Sequence, residues 1–264
     1  MLTISRRRVA VAAWVQRLAA GRRLPWSDDI GPAVTPIENR PRKYRFQERR
    51  RAQLNKKGQS VSGDECSRPE RQTQPNPAAG QILMIDRDGT INRRPPNGGY
   101  LTRWDDFVWL EDNVEAMQQL AKAGYRFIVI SNQAGIGRGI VDLATVEDIN
   151  RKMVAGLSER GIDIVDVYIC PHHPADNCDC RKPAPGMFRR AAREHSFQID
   201  RSVYIGDDPR DAVAAHNAGC PSVLIGPERD VDPGNGVTAT FTSPTLLDAV
   251  TWIEQLLATR RNDG

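Results

Sequence analysis

The sequence predicts an α/β fold, a doubly wound parallel sheet covered by helices on both faces, occupying residues 81–264 behind a basic extension over 1–80. Three observations predict it. Short, mostly apolar and β-branched runs recur at "ILMI" (82–85), "RFIVIS" (126–131), "VDVYIC" (165–170), "SVYIG" (202–206) and "SVLIG" (222–226). Amphipathic helical patterns lie between them, roughly at 112–124, 143–160, 185–196, 209–219 and 245–259. A strand that is apolar throughout is buried on both faces, and alternation with helices is how a parallel sheet achieves that. The third observation is a change of character near Gly80. Residues 1–80 carry 17 Lys/Arg against 7 Asp/Glu, whereas 81–264 carry 20 against 26, within an overall net charge of +4.

The extension comes first in the chain. From Pro32 to Gly80 it is basic, rich in Gln, Ser, Asn and Pro, and nearly without aliphatic periodicity, so it is expected to be largely disordered. Residues 9–20 have the pattern of a short amphipathic helix, and Cys66 stands alone. The opening "SRRRVAVAAWVQRLAAGRR" has only seven apolar residues, Val9–Val15, before Arg17. That is too short for an export signal, and no run approaches the roughly 18 apolar residues of a membrane span. A cytoplasmic location without membrane partners is the expectation. The basic run is the one place where nucleic acid could bind, although Tyr44 and Phe46 are too sparse to make a stacking platform.

Right-handed crossovers bring the C-terminal ends of parallel strands to one edge, where open α/β sheets bind ligands. The residues that follow each strand are therefore the ones that carry chemistry. After "ILMI" comes "DRDGT", with Asp86 and Asp88 one residue apart and Gly89 allowing close backbone approach. A carboxylate can attack phosphorus when a divalent cation neutralises the charge, and a second one can protonate the leaving oxygen and then activate water. Taken alone, Asp-x-Asp-Gly is also a turn or a calcium loop. After "RFIVIS" come Ser131 and Asn132, then a glycine loop with Arg138. After "SVYIG" comes "DDPRD", in which Asp207, Asp208 and Asp211 open a helix, a favourable position for acids in any protein.

The third strand leads into "ICPHHPADNCDCRKP" (169–183), where Cys170, His172, Cys178 and Cys180 form a C-x-H-x5-C-x-C set. Three thiols and one imidazole so spaced suit a closed tetrahedral zinc site, and a disulfide reading would strand an odd thiol. Four protein ligands leave no open position for water, so this Zn2+ is expected to be structural. Its service would be to order Arg181 and Lys182, which follow its last ligand. His173 is the alternative imidazole.

The order Asp pair, Ser, Lys, acidic cluster at successive strand ends resembles the haloacid dehalogenase superfamily of aspartate-nucleophile phosphatases. The resemblance covers about residues 81–230. It implies Asp86 as nucleophile, Asp88 as general acid/base, and Ser131 and Lys182 as holders of the phosphoryl oxygens. It also implies Mg2+ between the Asp86 carboxylate, the Asp88 carbonyl and Asp207. "DRDGTIN", "SNQAGIGRG", the zinc loop and "CDCRKP" look like the D-glycero-D-manno-heptose 1,7-bisphosphate phosphatases, with histidinol-phosphate phosphatase domains as close relatives sharing the loop. Substrate contacts implied are Asn97, Gly98, Gly99 and Tyr100, then Asn132, Gln133, Ala134 and Arg138, and Arg181. The partner expected is a small phosphorylated substrate, and the chain is expected to be monomeric. Only about 35 residues separate the first motif from strand two, too few for a large cap domain.

The chain also departs from the family's pattern. Ser131 stands where Thr is frequent, and Asp208 stands where Lys is common. The loop "INRRPPNGGY" is longer and more basic than expected, and the extension has no counterpart. A nucleic-acid end phosphatase using the basic extension is a second reading, and a catalytically dead scaffold a third. Every catalytic position holds a competent residue, which disfavours the last.

Overall fold

A computed structural model describes residues 80–226 and 236–262. The readings made for the basic extension lie outside those residues. Six parallel strands form one sheet: β1 (Ile82–Ile85), β2 (Arg126–Asn132), β3 (Ile164–Cys170), β4 (Tyr204–Gly206), β5 (Ser222–Ile225) and β6 (Phe241–Ser243). Their spatial order is β3-β2-β1-β4-β5-β6. The helices between them are α1 (Glu111–Lys122), α2 (Ala134–Gly137), α3 (Leu143–Glu159), α4 (Gly186–His195), α5 (Pro209–Ala218) and α6 (Leu246–Asn262).

Alternation along each strand feeds two cores, one on each face of the sheet. Leu83, Ile85, Phe127 and Val129 pack with Met117 and Leu120 of α1, Ile149 and Met153 of α3, and Ile253 and Leu257 of α6. Ile82, Met84, Ile128 and Ile130 pack with Met187 and Phe188 of α4 and Ala214 and Ala215 of α5. Burial on both sides is why these strands read as unbroken apolar runs. The helices are set by local signals: Asp142 caps α3 by accepting from the Thr145 amide at 2.6 Å, and Asp208 caps α5 in a capping box with Asp211, with Pro209 opening the helix.

The expected doubly wound class and five expected strands are present, with two differences. β6 was not anticipated, because "FTS" is three residues long with only Ser243 buried, too short and too polar to stand out. The ladder of β4 begins at Tyr204 and not at 202, because the Ser202 amide closes the 3-10 turn Ile199–Arg201 by donating to the Ile199 carbonyl at 3.1 Å. Among the described residues no helix is long and apolar enough to cross a membrane.

What this topology does for function is place β1 in the middle. The sequence of connections reverses beside it, with β2 on one side and β4 on the other, so a crevice opens beyond its C-terminal end.

Candidate active site

Asp86 is the first residue past β1, and its amide donates to the Ile205 carbonyl of β4 at 2.8 Å. The side chain is buried, flanked by the ends of β2 and β4. Lys182 arrives from the loop after β3 and is itself buried. Its ammonium lies 2.8 Å from Asp86 Oδ1 and 2.8 Å from Asp211 Oδ1, and it donates to the Tyr204 hydroxyl at 2.7 Å and the Ile130 carbonyl at 3.1 Å. Burial raises the Asp86 carboxyl to about 7, with Lys182 opposing and Asp211 adding to the rise. For Lys182 burial works against the charge, yet Asp211 and Asp86 outweigh it and hold the ammonium above its ordinary value. A buried cation between two buried carboxylates is stable only while both partners stay.

Asp88 is held differently. Arg87, one of the most deeply buried side chains of the molecule, turns back to bind it through Nη2 at 2.8 Å and is fixed from α3 by Asn150 at 2.9 Å. Asn92 donates to Asp88 Oδ1 at 3.0 Å, and Gln133 Nε2 donates to Oδ2 at 2.8 Å. Burial pushes this carboxyl up, but Arg87, Asn92 and Gln133 more than offset it and hold it below the ordinary carboxylate value. The same Gln133 nitrogen donates to Ser131 Oγ at 3.0 Å, which leaves the serine O–H to point elsewhere.

The acidic side of the site comes from the start of α5. Asp86, Asp207 and Asp211 each offer a carboxylate oxygen, and these oxygens lie within 4.8 Å of one another. Asp211 is already committed: besides Lys182 it accepts from the Tyr204 hydroxyl and from the Asp208 amide, as the second half of the capping box. Asp207 leans over Gly89, where φ is +96° and an added Cβ would lie 2.2 Å from its carboxylate. Only glycine fits beneath it. Burial raises Asp207 to about 6, with Arg94 opposing. Crowded carboxylates beside a backbone carbonyl form an oxygen donor set, which fits a hard divalent cation.

The cysteine loop closes on itself. The sulfurs of Cys170, Cys178 and Cys180 are 3.4–3.6 Å apart, and His172 Nδ1 sits 3.1 Å from Cys180 and 3.7 Å from Cys170. A tetrahedron with metal–sulfur bonds of about 2.3 Å has edges of roughly this length, so the donor set fits zinc. The hydrogen bond from Cys180 pulls the Cys170 thiol down to about 5, and burial opposes it. His173 faces away and caps the 3-10 turn Pro174–Asp176, accepting from the Ala175 amide at 3.1 Å. The loop is seated by backbone contact: a Cβ on Gly137 would lie 2.3 Å from the His173 nitrogen.

A cavity of about 300 Å³ opens over these groups, lined by Asp86, Asp88, Ser131 and Lys182 at its floor and by Arg94, Arg138, Arg181 and Arg210 among its walls. Gly98, Gly99, Tyr100, Asn132, Gln133 and Ala134 line it too; of the Asn97 side chain nothing is described. Not all of these face it freely. The Asn132 amide clamps the Lys182 backbone, donating to its carbonyl at 3.1 Å and accepting from its N–H at 3.0 Å. Arg181 Nη1 is buried with no hydrogen-bond partner. Sequence reasoning missed Arg87, Asn92, Arg94, Asn150 and Tyr204. Arg87 and Asn92 sit inside the quoted "DRDGTIN", so proximity to the motif was a signal; Asn150 and Tyr204 gave none.

The profile of the family described as polynucleotide kinase 3 phosphatase matches residues 81–219. A D-glycero-beta-D-manno-heptose-1,7-bisphosphate 7-phosphatase of Photorhabdus laumondii is 41% identical over 140 residues, 50% of this chain and 73% of its own length. One of Escherichia coli O6:H1 is 34% identical over 183 residues, covering 67% of this chain and 90% of its own. The crystal structure of D,D-heptose 1,7-bisphosphate phosphatase from B. bronchiseptica, complexed with magnesium and phosphate, superposes with a TM-score of 0.60 at 31% identity. That alignment covers 66% of this chain and 98% of the other.

Proposed function

The chain belongs to the D-glycero-D-manno-heptose-1,7-bisphosphate 7-phosphatase family, phosphoric monoester hydrolases of the haloacid dehalogenase superfamily, and we propose that it removes the C7 phosphate of a heptose 1,7-bisphosphate through an aspartyl-phosphate. The observation that carries the chemistry is the convergence of Asp86, Asp88, Ser131 and Lys182 on the floor of one cavity. The substrate is supported by the printed activities of the relatives and by Arg181, whose buried, unpartnered Nη1 suits a second anionic group.

Asp86 attacks phosphorus, forming the Asp86 Oδ–P bond as the bond to the sugar oxygen breaks. Ser131 and Lys182 donate to the phosphoryl oxygens, the ammonium offsetting the charge that builds on them. Asp88 gives its proton to the departing sugar oxygen, then takes one from the water that cleaves the acyl phosphate, releasing phosphate and restoring Asp86. In the free site Asp88 is held ionised by Arg87; an arriving phosphate dianion places like charge beside it and favours the protonated form that the first step needs. Asp86, Asp207 and the Asp88 carbonyl would hold Mg2+, which would supply charge neutralisation for both nucleophile and phosphoryl group. Cys170, His172, Cys178 and Cys180 would hold Zn2+, which does no chemistry there.

A panel comparing heptose 1,7-bisphosphate, histidinol phosphate and a 3′-phosphorylated oligonucleotide, each with Mg2+ and with EDTA, tests the assignment. The bisphosphate should be turned over best and only with Mg2+, and Asp86→Asn should lose at least about 10³-fold in kcat, in keeping with loss of a covalent nucleophile. Preference for the oligonucleotide would move the substrate to the activity named for the matching profile. Full activity of Asp86→Asn would remove the covalent mechanism.

A further inference from the structure

The loop that follows the first motif carries Arg94, which belongs to none of the catalytic roles above. Its Nη2 lies 3.0 Å from Asp207 Oδ1 and 3.4 Å from the Asp88 carbonyl oxygen, and its Nη1 lies 3.2 Å from Asp208 Oδ2. Two of those three oxygens belong to groups assigned above to Mg2+, the Asp207 carboxylate and the Asp88 carbonyl. We infer that Arg94 is a resident counter-cation that occupies the metal's seat in the metal-free enzyme and leaves it when Mg2+ binds. The inference rests on the metal-site reading given under the proposed function.

The physical case is one of exclusion. A guanidinium and a divalent ion brought to the same two groups are two cations in close approach, and they repel strongly in a half-buried site. Meanwhile the site cannot stay empty of positive charge. Asp86, Asp207 and Asp211 crowd together, and Lys182 pairs only Asp86 and Asp211. Asp207 therefore depends on Arg94. The guanidinium is suited to leave: its side chain is 38% exposed, it lines the cavity, and its Nε is buried without a partner, so this pose does not satisfy it. Arg210 differs in the respect that matters. It pairs Asp208 at 2.7 Å, with no contact to Asp207 or to the Asp88 carbonyl.

Titration calorimetry with MgCl2 in the absence of substrate tests this on the full chain, using Arg94→Gln, Arg94→Lys, Arg210→Gln and Asp207→Asn. Arg94→Gln should bind Mg2+ about tenfold more tightly, a coupling of the size found between ligands of linked sites. Arg94→Lys, a point charge that cannot span both oxygens, should fall between it and the parent. Arg210→Gln should shift the affinity much less; an equal gain in both Gln variants would mean a general charge effect and would overturn the exclusion. In EDTA, Arg94→Gln should melt below the parent, and Mg2+ should raise its Tm by more than it raises the parent's. Unchanged or weaker Mg2+ binding in Arg94→Gln, with binding lost in Asp207→Asn, overturns the role of Arg94 alone. Undiminished binding in Asp207→Asn overturns the metal site and this inference with it.

Discussion

Asp88 has little of its carboxylate left over: Arg87 and Asn92 donate to it from its own segment, and Gln133 donates from the loop after β2. A general acid/base gains from such fixing, because its proton must travel in a defined direction to a leaving oxygen. Gln133 is the member whose loss is most readable, since it joins Asp88 to Ser131. Gln133→Leu should lower kcat by about 10- to 100-fold, the loss of one or two hydrogen bonds to a charged group. KM should move far less, and the Tm should stay near the parent's; steady-state kinetics beside a thermal melt would check it. A KM effect as large as the kcat effect would instead make Gln133 a substrate ligand. The same residue shows what the sequence could convey. Asp86, Ser131, Lys182 and Asp207 were legible because each follows an apolar run or a ligand set. Gln133 could be placed near the substrate but not assigned its bonds, because its partners are set by the meeting of β1 and β2. Tyr204, inside a strand pattern, read as core and is core, yet its hydroxyl bonds Lys182 and Asp211.

At the scale of elements, the cysteine loop links a fold problem to a charge problem. β3 delivers Cys170 beside Asn132 of β2, and Asn132 in turn grips the backbone of Lys182. Between these two fixed points the chain makes a 3-10 turn and passes Asn177 at φ +46°, an irregular path without strand or long helix to hold it. Three sulfurs and one imidazole nitrogen closing on a cation supply what such a path lacks. Cys178→Ser should therefore release zinc, from about one ion per chain by metal analysis, and lower the Tm by several degrees. It should also reduce kcat through a loosened Lys182, whereas zinc added to Lys182→Ala should restore nothing. Retained activity in zinc-free Cys178→Ser would break the link between loop and lysine. The elements themselves were largely legible. Apolar runs marked five strands and periodicity marked the long helices, while β6 and the four-residue α2 carry too few residues to make a pattern. "DDPRD" supported two readings, a helix cap and an acidic cluster: Asp208 and Asp211 cap α5, and Asp207 lies close to Asp86.

Taken whole, the molecule gathers five basic side chains around one cavity in a stretch of chain with more acids than bases. Residues 81–264 carry 20 Lys/Arg and 26 Asp/Glu, yet Arg94, Arg138, Arg181, Lys182 and Arg210 line one opening together with Asp86, Asp88, Asp208 and Asp211. Focusing by that ring acts at short range, because the screening length in physiological salt is about 8 Å. Among the described residues, a sugar bisphosphate bound there would meet side chains from residues 86–211. A polyanion is different, since it extends beyond the cavity and releases counterions along its length. A chain beginning at Gly80 should therefore hydrolyse heptose 1,7-bisphosphate with kcat/KM within about threefold of the full chain at 0.15 M salt. Any salt-sensitive binding of single-stranded nucleic acid should disappear with the deletion. Paired kinetics and fluorescence-anisotropy titrations on both chains would measure the two effects separately. A loss beyond tenfold in sugar-phosphate turnover, in a fragment that still melts cooperatively, would mean that the basic segment reaches the active site and is part of it.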